Sequence, residues 1–337
     1  MADRLRVAVV GAGRMGRRHA ENLAASPHGR VTWIVDPLPG SAGFAQTLDA
    51  RWAPGLDALA EADVDAVVIA SPSPQHGAAV EAALDARRAV FCEKPLTVGP
   101  ERTAALAHRI AASGLYFQIG FMRRYDPAYA EARRAAAAGE LGSLRHLLAV
   151  SRDPLPPPEE YLAVSGGIFL DLGIHDIDLL RWLSGDEITS VYAQGNVGEH
   201  AYIARQGDAE EAQALVRFRG GATGTMLLSR TSLYGYDIRT ELWGTAGTLQ
   251  VGYLREPAVT RGDRSGLHER AVPGFLERFA AAYRLEILDF MVRVRGGLPS
   301  PATEVDAVRA AAVADACRRS MESGAPVEVQ GRAGASA

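Results

Sequence analysis

Near the start of the chain, the apolar run Leu5-Arg-Val-Ala-Val-Val10 passes directly into Gly11-Ala-Gly13-Arg14-Met15-Gly16, and an Ala-rich helical stretch follows to residue 25. Glycines at this spacing between a buried strand and a helix allow a tight turn, and they let a ligand's phosphates approach the helix N-terminus. Arg14 and Met15 complete the same turn and join the three glycines as cofactor-binding candidates. A second apolar run, residues 31–35, ends on Asp36, near the spacing expected of an acid that holds ribose hydroxyls. A carboxylate there would repel a 2′-phosphate, and Pro37 leaves no adjacent arginine to accept one, which favours NAD over NADP. A glycine-rich turn in some other α/β protein is the competing reading. The order strand, glycines, helix, strand, acid argues against it.

Apolar runs continue at residues 66–70, 89–92 and 115–119, with helical stretches between them. Continuous apolar strands alternating with helices imply a parallel sheet covered on both faces. After Gly120 the pattern changes. A helix is expected over 127–138, a strand over 144–151, a Pro-rich loop over 153–158 and a single helix over 168–184. Residues 188–259 read as strands, with Gly220-Gly221 as a hairpin turn. Helices near 275–295 and 304–323 follow, and residues 331–337 read as a frayed end. The expected fold is α/β: an N-terminal doubly wound parallel sheet (a Rossmann fold) over residues 1–120, and a C-terminal α+β domain with an open, mainly antiparallel sheet over 121–330.

Among 337 residues, 36 are Lys or Arg and 40 are Asp or Glu, so the net charge of −4 offers no basic footprint for nucleic acid or an anionic membrane. No run of apolar residues is long enough to span a bilayer, and the N-terminal run is too short for a signal peptide. Cys92 and Cys317 are too few for a Cys-rich zinc site or a disulfide framework, so a cytoplasmic location is expected. Lys94 is the only lysine; every other strongly basic side chain is arginine. GC-rich codon usage explains the arginines. It does not explain the exception, and an ammonium can lose its proton near neutral pH where a guanidinium cannot.

Glu93-Lys94-Pro95 stands at the C-terminal end of an expected parallel strand, the edge where such sheets bind ligands. Ser71-Pro-Ser73-Pro-Gln-His76 ends the preceding strand and offers hydroxyls and a ring to the nicotinamide ribose. His76 also reads as an ordinary residue near a helix N-terminus. In Asp171-Leu-Gly-Ile-His175-Asp-Ile-Asp178, positions 171 and 175 would share one face of a continuous helix, with Asp178 close to the same stripe. A carboxylate beside a histidine orients the ring and raises its basicity, as a general base requires. A satisfied structural histidine is the bland alternative. A metal held by the two acids and the histidine is not expected, since a Lys and a His can manage the proton of an alcohol oxidation.

These segments, with Gly120-Phe-Met-Arg-Arg-Tyr-Asp-Pro127, Gly166-Gly-Ile-Phe-Leu-Asp171, Tyr234-Gly-Tyr236-Asp237 and Arg278-Phe-Ala-Ala-Ala-Tyr283, resemble the glucose–fructose oxidoreductase / inositol dehydrogenase / rhizopine-catabolism family, and within it the inositol 2-dehydrogenases. The resemblance runs from about residue 5 to 325. It implies that Lys94 contacts the reacting hydroxyl, that Asp171 and His175 form the carboxylate–histidine pair, and that Asp178 binds substrate hydroxyls. It puts Met122 and Arg123 where cofactor meets substrate, Tyr236 in the pocket wall, and Glu93 beside the cofactor. Ser151-Arg-Asp153-Pro stands where some inositol dehydrogenases carry a His and an Asn, and Asp153 joins the substrate-binding candidates. The implied activity is NAD-dependent oxidation of a cyclic polyol, myo-inositol to the 2-keto product, by a homotetramer or homodimer. A sugar dehydrogenase or reductase of the same family is the first alternative. A non-catalytic NAD-binding regulator is the second, and it would have no need of the Lys–Asp–His set.

Overall fold

The computed structural model describes residues 4–61, 63–252, 260–269 and 272–329. The chain forms two compact units. One runs up to Tyr125 and takes in Ala281–Arg309; the other runs from Asp126 to Ala280 and resumes at Ala310. A single division near residue 120 does not describe this arrangement. The Ala280–Gly296 helix sends Ile287, Phe290 and Met291 into the first unit's core beside Leu5, Val7, Val9, Ile34 and Phe91. The Phe290 ring meets Phe91 edge to face, with centroids 5.7 Å apart. Burying three large apolar side chains contributes several kcal/mol, which outweighs chain proximity in deciding where the segment packs.

The first unit contains β1 (Leu5–Val10), β2 (Gly29–Val35), β3 (Arg51–Ala53), β4 (Ala66–Ile69), β5 (Ala89–Glu93) and β6 (Phe117–Gly120). All pair in parallel, in the order β3-β2-β1-β4-β5-β6. The order reverses between β1 and β4, which opens a crevice beyond their C-terminal ends. Val7, Val9, Val67, Val68, Ile69, Val90 and Phe91 are fully buried, as strands covered on both faces require.

The second unit contains β7 (Leu144–Arg152), β8 (Ile188–Asn196), β9 (Glu211–Phe218), β10 (Thr223–Ser229), β11 (Asp237–Gly244), β12 (Thr248–Val251), the small pair β13 (Thr260–Asp263) and β14 (Gly266–Glu269), and β15 (Val327–Glu328). The large sheet runs β12-β11-β7-β10-β9-β8-β15. Only β7 and β10 are parallel neighbours; every other pair is antiparallel. The β9–β10 hairpin turns at Gly220-Gly221, where Gly221 has φ +94°. Residues 188–259 are not all strand, because the Ala201–Arg205 helix interrupts them. Residues 253–259 and the expected frayed end at 331–337 lie outside the described residues.

Candidate active site

In the first unit, the turn after β1 depends on its glycines. A Cβ at Gly11 (φ +90°) would sit 2.6 Å from the Ser71 backbone nitrogen, and one at Gly16 would sit 1.8 Å from the Gly11 carbonyl oxygen. Gly13 differs: a Cβ there would meet nothing within 4 Å. It caps the Arg14–Ala24 helix with no side-chain hydrogen bond to the first turn, so the backbone faces open space at a helix N-terminus. Arg14 is exposed and Met15 half-buried. Opposite Gly11, the Ser71 hydroxyl is buried with no hydrogen-bond partner, an orphan that a bound molecule would satisfy. Asp36 is buried, and its carboxylate accepts the Ala12 N–H at 2.7 Å and the Leu38 N–H at 2.9 Å. Each oxygen keeps a further lone pair for a ribose hydroxyl. The open approach at Gly13, the orphaned Ser71 hydroxyl and the fixed Asp36 carboxylate fit a dinucleotide.

His76 does not present its ring to such a ligand. It is 1% exposed; Nδ1 lies 2.7 Å from the Pro95 carbonyl oxygen and Nε2 lies 2.8 Å from that of Ser71. Burial pushes its pKa down, against the upward pull of those two carbonyls. A neutral ring has one N–H and donates to one of these two carbonyls, lodged between the loops after β4 and β5, so the geometry supports a positional role over a cofactor contact. Ser73 begins the helix that carries it.

Lys94 is half-buried just past β5, and the Lys94–Pro95 bond is cis. Its backbone N–H donates to Glu93 Oε2 at 3.3 Å, while Glu93 Oε1 lies 2.6 Å from Nε2 of His19. Met122 and Arg123 follow β6, both buried.

In the second unit, the expected helix over 168–184 is two helices, Ile168–Asp171 and Ile174–Ser184. At the junction the Gly173 N–H reaches back five residues to the Ile168 carbonyl, at 2.9 Å. A Cβ on Gly173 would lie 2.8 Å from Leu228 Cδ1 and 3.1 Å from the Phe169 carbonyl oxygen, so a larger residue there would crowd the junction. The stripe logic of an unbroken helix therefore does not relate Asp171 to His175. Instead, Asp171 is gripped by groups far away in sequence. Its Oδ1 accepts from the Tyr161 hydroxyl at 2.7 Å and its Oδ2 from Arg230 Nη1 at 3.1 Å. Arg230 is 1% exposed and also bonds Asp208 Oδ2 at 3.0 Å. Asp208 Oδ1 in turn accepts the Ile168 N–H at 2.8 Å, at the start of the helix bearing Asp171. His175 and Asp178 are buried on the second helix, with Asp178 3.9 Å from Arg181. Asp176 accepts the Ser151 hydroxyl at 2.8 Å, which ties the helix to β7.

Asp153 anchors its loop through the backbone, donating to Ser229 and accepting from Ser232. Tyr236 is buried, its ring edge-on to Phe279 with centroids 6.5 Å apart. Neither Arg230 nor Asp208 was legible as a site residue, since one arginine among so many carries no local mark. His19, three residues past Gly16, was not singled out either. Arg230→Met should leave the mostly covered Asp171 and Asp208 carboxylates without their shared cation. A loss of about 3–5 kcal/mol in denaturant unfolding is expected; a loss below about 1 kcal/mol would return the arginine to the ordinary surface range.

Residues 5–121 match the family described as "Oxidoreductase family, NAD-binding Rossmann fold", and residues 129–250 match its GFO/IDH/MocA C-terminal domain. The scyllo-inositol 2-dehydrogenase (NAD(+)) of Bacillus subtilis is 38% identical over 333 residues, covering 98% of this chain and 97% of that protein. The myo-inositol 2-dehydrogenase of Thermotoga maritima is 32% identical, covering 97% and 99%. Among solved structures, scyllo-inositol dehydrogenase from Lactobacillus casei with bound NAD(H) and scyllo-inositol superposes with a TM-score of 0.91, at 30% identity, covering 97% of this chain and 99% of that one. With both halves of the chain matched and the phosphate-binding turn intact, the protein belongs to the GFO/IDH/MocA family of NAD-binding oxidoreductases.

Proposed function

We propose that this protein is an NAD-dependent dehydrogenase that oxidises a secondary ring hydroxyl of an inositol to the keto-inositol. What carries the reading is the end-to-end likeness to inositol dehydrogenases of both the myo and scyllo series. In this reading Lys94 donates a hydrogen bond to the reacting hydroxyl oxygen and stabilises negative charge as the proton leaves. His175 takes that proton as general base, and Asp171, held by Arg230 and Tyr161, supplies the carboxylate of the pair. Asp178, Asp153, Met122 and Tyr236 contact the polyol. Gly11, Gly13, Arg14, Met15, Gly16, Asp36, Ser71, Ser73, Glu93 and Arg123 surround the cofactor. NAD, when bound, accepts the hydride.

The proposal includes a homo-oligomer, dimer or tetramer, and a cytoplasmic location; the buried free thiols of Cys92 and Cys317 suit a reducing compartment. The test is turnover with myo-inositol, scyllo-inositol, aldoses and keto sugars, each with NAD and NADP. Inositol turnover with NAD is expected. Turnover of a sugar alone would favour the sugar dehydrogenase or reductase alternative.

Asp36 decides the cofactor. Asp36→Ser should weaken NAD binding and narrow the ratio of NAD to NADP in kcat/KM, because the ribose acceptor and the repulsion of a 2′-phosphate are lost together. A wild type that prefers NADP would contradict this role.

A further inference from the structure

We infer that His19 is a positioning residue for Lys94, acting through Glu93; its consequence for turnover rests on the role proposed above for Lys94. His19 lies on the Arg14–Ala24 helix, fully buried, with its ring edge-on to Phe91 at 5.3 Å and to Tyr283 at 6.0 Å. These contacts fix the plane of the ring. Nε2 lies 2.6 Å from Glu93 Oε1, and Nδ1 is buried with no partner. With a proton on Nε2 the ring donates to the carboxylate, and no N–H is buried unsatisfied at Nδ1. Glu93 Oε2 accepts the Lys94 backbone N–H.

The carboxylate is thus held at both oxygens, one by the helix of the phosphate-binding turn and one by the lysine's own backbone. Without the donor on His19, Oε1 would lose its partner, and the carboxylate would be free to turn away. That slackens the bond to the Lys94 amide and lets the lysine's stem wander. A displacement of about 1 Å at a reacting group is enough to cost a large factor in rate.

The single lysine makes the link directly visible. Labelling with [15N]lysine gives one backbone amide signal, that of Lys94, in the whole protein. In the ligand-free wild type this proton should lie downfield and exchange slowly, as expected of a donor to a carboxylate. In His19→Leu it should move upfield and exchange at least about tenfold faster, as a weakened hydrogen bond allows. His19→Gln, whose side-chain N–H can reach Glu93, should restore both. With substrate, His19→Leu should lower kcat about tenfold while KM for NAD stays within about twofold, the split expected of misplacement rather than lost cofactor binding. If His19→Leu does not fold, Glu93→Gln gives the same readout, because a neutral amide oxygen accepts more weakly. An unmoved amide signal in a folded variant would overturn the inference. So would a moved signal with unchanged kcat. Retained turnover in Lys94→Met would instead defeat the proposed role of the lysine and leave the measured link standing.

Discussion

Lys94→Arg should be nearly as inactive as Lys94→Ala, with both losing about 10³-fold in kcat, within the range set by removing a group that stabilises developing charge. Arginine serves at every other strongly basic position of this chain, so the substitution is conservative by the protein's own usage. The two residues carry the same charge. They differ in bulk, and in that the compact ammonium can be tuned to give and take a proton near neutral pH while the guanidinium stays protonated. The turn also restricts what fits, because Glu93 and Pro95 on either side are held by His19 and His76. Amine-directed labelling gives an independent check, since the N-terminus and Lys94 are the only targets. NAD with inositol should protect Lys94. A fully active Lys94→Arg enzyme, with labelling indifferent to ligands, would reduce the missing lysines to codon usage.

His175→Ala should lower kcat by about 10²–10⁴-fold, the contribution of a positioned general base. NAD affinity, measured by fluorescence or calorimetry, should change by less than about twofold, since the glycine turn and Asp36 belong to the other unit. The acid limb of the pH–rate profile should also flatten, because the titrating base is gone. His175 is buried, and Asp176 beside it is secured by Ser151, so a purely structural role makes a different forecast: a lower melting temperature with near-normal turnover below it.

The phosphate-binding turn was legible because its physics leaves no other residue possible. A side chain at Gly11 or Gly16 collides with backbone, and backbone cannot move aside as a flexible side chain can. The parallel sheet was legible for a similar reason, since strands buried on both faces must be apolar throughout. What failed to show were features set by distant partners. Leu228, more than fifty positions away, comes close enough to Gly173 to crowd a larger residue there. The grip on Asp171 comes from Tyr161 on one side and Arg230 on the other, neither at helical spacing from it. His76 looked like a ring offered to a ligand, because nothing local reveals that two backbone carbonyls already flank it. The return of Ala281–Arg309 to the first unit is likewise written in packing rather than in pattern, and one apolar face on a helix does not say which core it fills.

Hydride transfer from an inositol carbon to NAD is followed by isotopic transfer. The enzyme would be given NAD with myo- or scyllo-inositol carrying deuterium on the ring carbons, and the reduced nicotinamide analysed by mass spectrometry. One deuterium per nicotinamide formed is expected, with a keto-inositol in equal amount and loss of the signal in Lys94→Arg and His175→Ala. Unlabelled reduced cofactor, or none from either inositol while an aldose or keto sugar turns over, would contradict it.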